Sequence, residues 1–311
     1  MTLPSPGPLS GTPVSLSAGG YTASIASIGA SLRELRFEGR DLVAPFDEDA
    51  IRPVFRGATL VPWPNRVVDG TYELDGETQQ LALTEPERGH ALHGLAGWLD
   101  YEVREQSESS ATLGVTIPAQ LGYPRRLDIA VTFTLSEAGL QTTVTATNTG
   151  RGTAPFGTAP HPYLRAGDGL VDDWTLTLPA EDVLTVTEDR LIPTGRASIS
   201  EADGGAYDFR TARKIGDTFI DHAFTGLARD ADGMVEVRVT AADGTGVAMR
   251  WGAECPWVQV HTGDRPEPEL NRVGLAVEPM TCPPDAFNSG DDLLLIEPGE
   301  SASASWTIAA I

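Results

Sequence analysis

Apolar and polar residues alternate with period two through most of this chain. Leu127, Ile129, Val131, Phe133 and Leu135 alternate with Asp128, Ala130, Thr132 and Thr134. Leu113, Val115 and Ile117 repeat the pattern, as do Trp174, Leu176 and Leu178, then Val235, Val237 and Val239, then Val247, Met249 and Trp251. Successive side chains on a strand point to opposite faces, so each run predicts a strand with one face on a core. Turn signals separate the runs: Asn148-Thr149-Gly150, Asp203-Gly204-Gly205, Asp232-Gly233 and Asp243-Gly244. Asp75-Gly76, inside Tyr72–Glu77, predicts a two-residue hairpin turn. Helical periodicity is weak throughout, its best short candidate lying around Phe209–Ile215. With no sequence repeat and no linker between halves, the pattern predicts an all-β fold. It is one large antiparallel domain, a two-sheet sandwich over residues 21–311, preceded by a flexible Pro-, Ser- and Gly-rich segment over residues 1–20.

Composition narrows the function classes. At 311 residues the chain is long enough to bury a large core. A net charge of −22 leaves no electrostatic footprint for nucleic acid and repels an anionic membrane surface. No window approaches the run of apolar residues that a membrane-spanning helix needs. The N-terminal segment lacks a basic n-region followed by an apolar h-region, so the expected location is the cytoplasm. Cys255 and Cys282 form neither a CxxC motif nor a Cys/His cluster and are expected to be two buried thiols. Neither a metal nor a cofactor is expected.

The candidate chemistry sits in stiffened, extended segments. His161 lies between two prolines in Thr158-Ala159-Pro160-His161-Pro162-Tyr163. Each proline fixes its own φ, and the residue before a proline is driven to extended geometry. That aims an imidazole, which can exchange a proton near neutral pH. Glu278 ends the apolar run Val273–Val277 and precedes Pro279. A carboxylate there loses solvation and becomes a stronger base, unless it is a solvated strand end. His93 lies in His90-Ala91-Leu92-His93-Gly94, where the glycine permits a tight turn or a close approach. The His90/His93 spacing could suggest a metal pair, but no third ligand lies nearby. Pro62-Trp63-Pro64-Asn65-Arg66 offers an amide, a forked guanidinium and a flat indole face. Asp221 is a lone carboxylate among Phe219, Ile220, Ala223 and Phe224, where it is either a buried, paired group or a turn cap. There is no GxSxG, no phosphate-binding glycine loop and no HExxH. The remaining set suits acid–base work on a neutral polyol.

Taken in order, these segments resemble the aldose 1-epimerase (galactose mutarotase) family from about Gly20 to the C-terminus. The matching segments are Ile28-Gly29-Ala30-Ser31-Leu32, Asn65-Arg66 with Gly70 and the Asp75-Gly76 hairpin, and Leu92-His93-Gly94. They continue with His161-Pro162-Tyr163, Ala276-Val277-Glu278-Pro279-Met280-Thr281, Asp285-Ala286-Phe287-Asn288 and Pro298-Gly299-Glu300. The Pro-Trp-Pro-Asn-Arg form resembles a bacterial subgroup that includes relatives acting on sulfoquinovose. His90 and Leu95 stand where the family often has Asn and a second Gly. The resemblance implies a β-supersandwich that interconverts the anomers of a small-molecule sugar, as a monomer or homodimer. It implies Glu278 as general base, His161 as general acid and His93 as a second active-site histidine. Arg66, Asp221, Asn65 and Tyr163 are the implied sugar ligands. Two alternatives stand beside it. One is a hexose-6-phosphate 1-epimerase, with Arg52, Arg56 and Arg66 as a phosphate-binding cluster. The other is a non-catalytic sugar-binding protein on the same fold.

Overall fold

The computed structural model describes residues 7–311. Every named ladder is antiparallel. A four-stranded sheet is built from Pro13–Ala18, Tyr21–Ala26, Ser31–Phe37 and Arg40–Asp41. The largest sheet has nine strands, in the order Glu102–Gln106, Ser110–Ile117, Leu127–Ser136, Gly139–Asn148, Ser301–Ala310, Gly246–Trp251, Val235–Thr240, Thr175–Thr177 and Arg213–Lys214. A six-stranded sheet runs Tyr163–Leu164, Leu275–Met280, Trp257–His261, Asp221–Thr225, Asp182–Val186 and Pro193–Ser198. One apolar cluster takes in Val131, Val144 and Val237 from the nine-stranded sheet and Val258, Val260 and Val277 from the six-stranded one. The predicted β-sandwich and the predicted alternating strands are therefore found. The Asp75-Gly76 turn joins Thr71–Leu74 to Glu77–Gln80, with φ of 55° and 78° at its two residues, as the hairpin signal requires.

Two expectations are corrected. Residues 1–20 are not a flexible segment from Pro13 onward, because Pro13–Ala18 pairs along its length with Tyr21–Ala26. The Pro, Ser and Gly content hides a short alternation in which Val14 and Leu16 are buried. Residues 1–6 of that segment lie outside the described residues. The weak helical signal at Phe209–Ile215 forms no helix. Arg213–Lys214 pairs with Thr175–Leu176, while Phe209 and Ile215 point into the core. Apolar residues six apart fit a loop crossing the sheet edge as well as a short helix, and pairing decided between them.

The six-stranded sheet positions the chemistry. Asp221 pairs opposite His261, Ala223 opposite Gln259, and Gln259 opposite Glu278. Residues directly opposite in an antiparallel ladder share a face. One face therefore carries Asp221, Gln259, His261 and Glu278. The intervening Phe224, Val258, Val260 and Val277 lie in the apolar core. The same period of two that buries the sheet lines up four polar side chains on its other side.

Candidate active site

These four side chains form one wall of a cavity of about 310 Å³, within the range of small-ligand sites. The facing walls bring Phe55, Asn65, Arg66, Glu85, His93 and His161 to the same space.

His161 is aimed by a change of partner strand. Ala159–Pro160 pairs with Thr59–Leu60, and Tyr163–Leu164 pairs with Leu275–Ala276. Between them, the His161 N–H donates to the Ala58 carbonyl at 2.9 Å and the Gly57 N–H donates to the His161 carbonyl at 2.7 Å. The prolines on either side surrender donors that this crossing does not need. The imidazole Nε2 then lies 3.5 Å from Glu278 Oε1. His161 Nδ1 and Glu278 Oε2 are buried and have no hydrogen-bond partner among the described residues. Burial, reinforced by the Asp221 charge and opposed by Arg66, pushes the Glu278 carboxyl well above the ordinary carboxylate range. Burial, reinforced by His261, pushes His161 down to about 3. Both groups are thus driven toward their neutral forms, with one proton on the carboxyl and none added to the imidazole.

His93 is a different kind of histidine. Its φ of 61° is in the left-handed region, uncommon for a residue with a side chain. The Asn65 N–H donates to its Nδ1 at 3.2 Å, and the His93 N–H donates to the Asn65 carbonyl at 2.8 Å. An Nδ1 that accepts leaves the ring proton on Nε2. Burial, together with the positive environment of His161 and Arg66, pushes protonation of the ring well below the usual range. His93 is therefore a neutral donor of fixed tautomer. Gly94 makes this bend possible: a Cβ there would sit 2.0 Å from the Val61 carbonyl oxygen, at a φ of 76°. Gly94→Ala is expected to destabilise the protein by about 2 kcal/mol or more, read as a drop in thermal midpoint.

Arg66 and Asp221 are held as rigidly. Arg66 Nε and Nη2 donate to the two oxygens of Glu85 at 2.7 and 3.0 Å. Its Nη1 donates to Asn65 Oδ1 at 3.3 Å. Gln259 Nε2 donates to Asp221 Oδ1 at 2.7 Å, leaving Gln259 Oε1 buried and unpartnered among the described residues. Burial pushes the Asp221 carboxyl up, but His261, Arg66 and the Gln259 bond outweigh it and hold the group below its ordinary value. Asp221 and Glu278 share a wall with opposite displacements, one a fixed negative charge and the other a group ready to take or give a proton.

The chain as a whole is similar to known proteins. The family model described as aldose 1-epimerase matches residues 13–309. The chain belongs to the aldose 1-epimerase family. It is 39% identical over 292 residues to the uncharacterised protein YihR of Escherichia coli K12, covering 94% of this chain and 91% of that one. It is 28% identical over 306 residues to the galactose mutarotase of Bos taurus, covering 89% and 87%. The solved structure of a putative aldose 1-epimerase from Escherichia coli K12 superposes with a TM-score of 0.82 at 21% identity, over 96% of this chain and 99% of that one. An aldose epimerase homologue from C. elegans gives 0.83 at 21% identity, and these two likenesses bear on the fold. Aldose 1-epimerase membership makes the chain a sugar epimerase of the mutarotase type.

Six of the seven residues expected from sequence line the cavity: Asn65, Arg66, His93, His161, Asp221 and Glu278. Tyr163 is the correction. It is buried behind His161, stacked on that ring at 5.2 Å, with Arg56 5.6 Å from its ring centre and its hydroxyl 3.5 Å from the Val54 carbonyl. On one continuous strand residues two apart would share a face, but the chain changes partner strand between Pro160 and Tyr163, and Tyr163 belongs to the ladder with Leu275–Ala276. His90 is not a ligand: its Nδ1 accepts from the Asp69 N–H at 3.2 Å and its Nε2 lies 2.9 Å from the Arg190 carbonyl. Among the described residues no group of His, Cys, Asp or Glu is arranged to hold a metal ion, and no helix is long and apolar enough to cross a membrane. Both cysteines are buried, and burial pushes the Cys282 thiol up to about 12. Sequence reading missed Gln259, His261, Glu85 and Phe55. The first two were visible as polar interruptions at period two in Trp257–His261. Glu85 carried no local signal, because its partner Arg66 lies 19 residues away.

Proposed function

We propose that this protein interconverts the α and β anomers of a free aldose by acid–base opening and closing of the sugar ring. The observation that carries the reading is the buried pair Glu278 and His161, 3.5 Å apart beside the cavity. In the opening half, the Glu278 carboxylate takes the proton of the C1 hydroxyl. The C1–O5 bond breaks as imidazolium His161 gives a proton to O5, leaving the open-chain aldehyde. Rotation about C1–C2 presents the other face of the carbonyl. In the closing half, neutral His161 takes the O5 proton as O5 attacks C1, and protonated Glu278 returns a proton to the new C1 hydroxyl. The pair holds one proton throughout and keeps its net charge, so neither half leaves an uncompensated charge in a poorly solvated site. The neutral forms that burial favours are the ones the closing half consumes. His93 donates a hydrogen bond from Nε2, while Asp221 accepts from sugar hydroxyls and Arg66 and Asn65 bind them. The protein acts alone on a small sugar, in the cytoplasm, as a monomer or homodimer.

A sugar with an anionic substituent is the second reading, and Arg265 carries it. Its guanidinium lines the cavity, is exposed and has no carboxylate within 4.0 Å among the described residues. The cluster of Arg52, Arg56 and Arg66 does not serve this purpose. Arg52 donates to the Ile28 and Gly97 carbonyls and to Ser31 Oγ. Arg56 donates to the Pro45 carbonyl, and Arg66 is held by Glu85. A sugar-binding protein without activity would have no use for a buried proton pair.

The test is anomer exchange by magnetisation-transfer NMR with galactose, glucose, xylose, glucose 6-phosphate and sulfoquinovose. Acceleration of a neutral sugar is the expected result. A preference for either acidic sugar selects the second reading, and binding of any of them without acceleration overturns the enzymatic one.

A further inference from the structure

Glu85 lies in the cavity wall, yet the acid–base scheme gives it no task. Its side chain is 12% exposed and that of its partner Arg66 is 10% exposed. The two-bond fork uses Nε and Nη2 of Arg66, leaving Nη1 on the side of Asn65. Arg88 Nη1 donates to Glu85 Oε1 at 2.9 Å. Burial pushes the Glu85 carboxyl up, but Arg66 and Arg88 outweigh it and keep it charged. The loop that carries Glu85 is itself closed. The Glu85 carbonyl accepts from the N–H groups of Arg88, Gly89 and His90, and the Glu85 N–H donates to the His90 carbonyl at 3.0 Å. Thr84 Oγ1 accepts from the Leu92 N–H at 2.8 Å, and Leu92 pairs directly opposite Arg66. One short ladder therefore presents the guanidinium, and the loop leading into it presents the carboxylate.

We propose that Glu85 is a positioning residue that locks the Arg66 fork and cancels its charge, and so sets how tightly the sugar is held. This rests on the mutarotase reading for its kinetic consequence but not for its geometry. A locked guanidinium loses little freedom when it meets a hydroxyl, and a cancelled charge leaves the proton pair under weaker positive bias. Asp221 and Arg66 are the charges that act on Glu278, in opposite directions, with His161 3.5 Å away and His261, Asp264 and Arg265 lining the same cavity.

The experiment compares wild type, Glu85→Gln and Glu85→Asp with D-galactose across pH, with thermal midpoints alongside. Glu85→Gln is expected to raise KM about tenfold to a hundredfold with kcat little changed at its optimum. The freed positive charge disfavours every added proton, so both limbs of its pH profile move to lower pH. Glu85→Asp keeps the charge and loses the reach: KM rises, and the limbs stay in place. Equal pH profiles and KM values for wild type and Glu85→Gln would overturn the proposal, as would Glu85→Asp moving the limbs as far as Glu85→Gln. Where galactose is not exchanged, the same comparison is made with whichever of the five sugars is, and should wild type exchange the anomers of none of them, the mutarotase reading fails alone. The locking is then read without sugar, from NMR exchange of the Arg66 Nε–H with water. Slow exchange in wild type and fast exchange in Glu85→Gln supports it, and equal rates overturn it.

Discussion

Glu278→Gln is expected to abolish anomer exchange and, at the same time, to raise the thermal midpoint. Gln keeps the size and one acceptor oxygen but can neither take nor release the proton. A positioned acid or base contributes about 10²–10⁴-fold, and here both halves of the reaction pass through this group, so the loss belongs at the upper end. The gain in stability follows from its surroundings. Glu278 is 1% exposed, its Oε2 has no partner among the described residues, and its carboxyl is held well above the ordinary range. A carboxyl whose folded value is raised stabilises the fold fully below its unfolded value and loses that contribution as pH rises through the folded value. The wild type is therefore handicapped above the ordinary carboxylate range and not below it. The variant escapes this: its midpoint should exceed that of wild type near pH 8, by about 2–4 °C for each kcal/mol relieved, and match it near pH 4. Calorimetric scans at the two pH values, beside NMR exchange rates, check both parts. A midpoint below wild type at pH 8 would overturn the argument that burial of the ionised carboxylate costs stability.

His161→Gln is expected to lower exchange by a similar factor and to change the shape of the pH profile. In wild type the active pair holds one proton. At low pH it holds two and Glu278 cannot accept; at high pH it holds none and His161 cannot donate. The profile of kcat/KM is a bell whose limbs belong to the pair. The limbs are spread, because His161 is pushed down to about 3 and Glu278 is pushed up. Without His161 the residual reaction needs an ionised Glu278 and nothing else titrating, so it rises with pH and stays level. The double variant Glu278→Gln/His161→Gln should be no slower than the slower single variant, since the two groups act in one proton exchange. Losses that multiply in the double variant would show that the groups act in separate steps.

Much of this was legible in the chain. Alternation between Leu127 and Leu135 or between Val235 and Val239 needs only a pleat and a core to become a strand, so local pattern was sufficient. Proline on both sides of His161 and after Glu278 marked extended, aimed side chains for the same local reason. Tyr163 shows the limit, since a motif names neighbours in sequence but not which of them faces the cavity. Pro13–Ala18 shows another, because composition concealed a short alternation that burial and pairing reveal over six residues.

By itself, then, the sequence determined an all-β chain and a handful of groups able to move protons, because strand periodicity and proline geometry act over a few residues. Tertiary structure decided which of those groups meet. It set Glu278 opposite Gln259 in register, brought His161 to 3.5 Å across a change of partner strand, and joined Arg66 to Glu85 from separate segments. It also decided their proton affinities, because desolvation depends on what the whole fold places around a group and not on its neighbours in the chain.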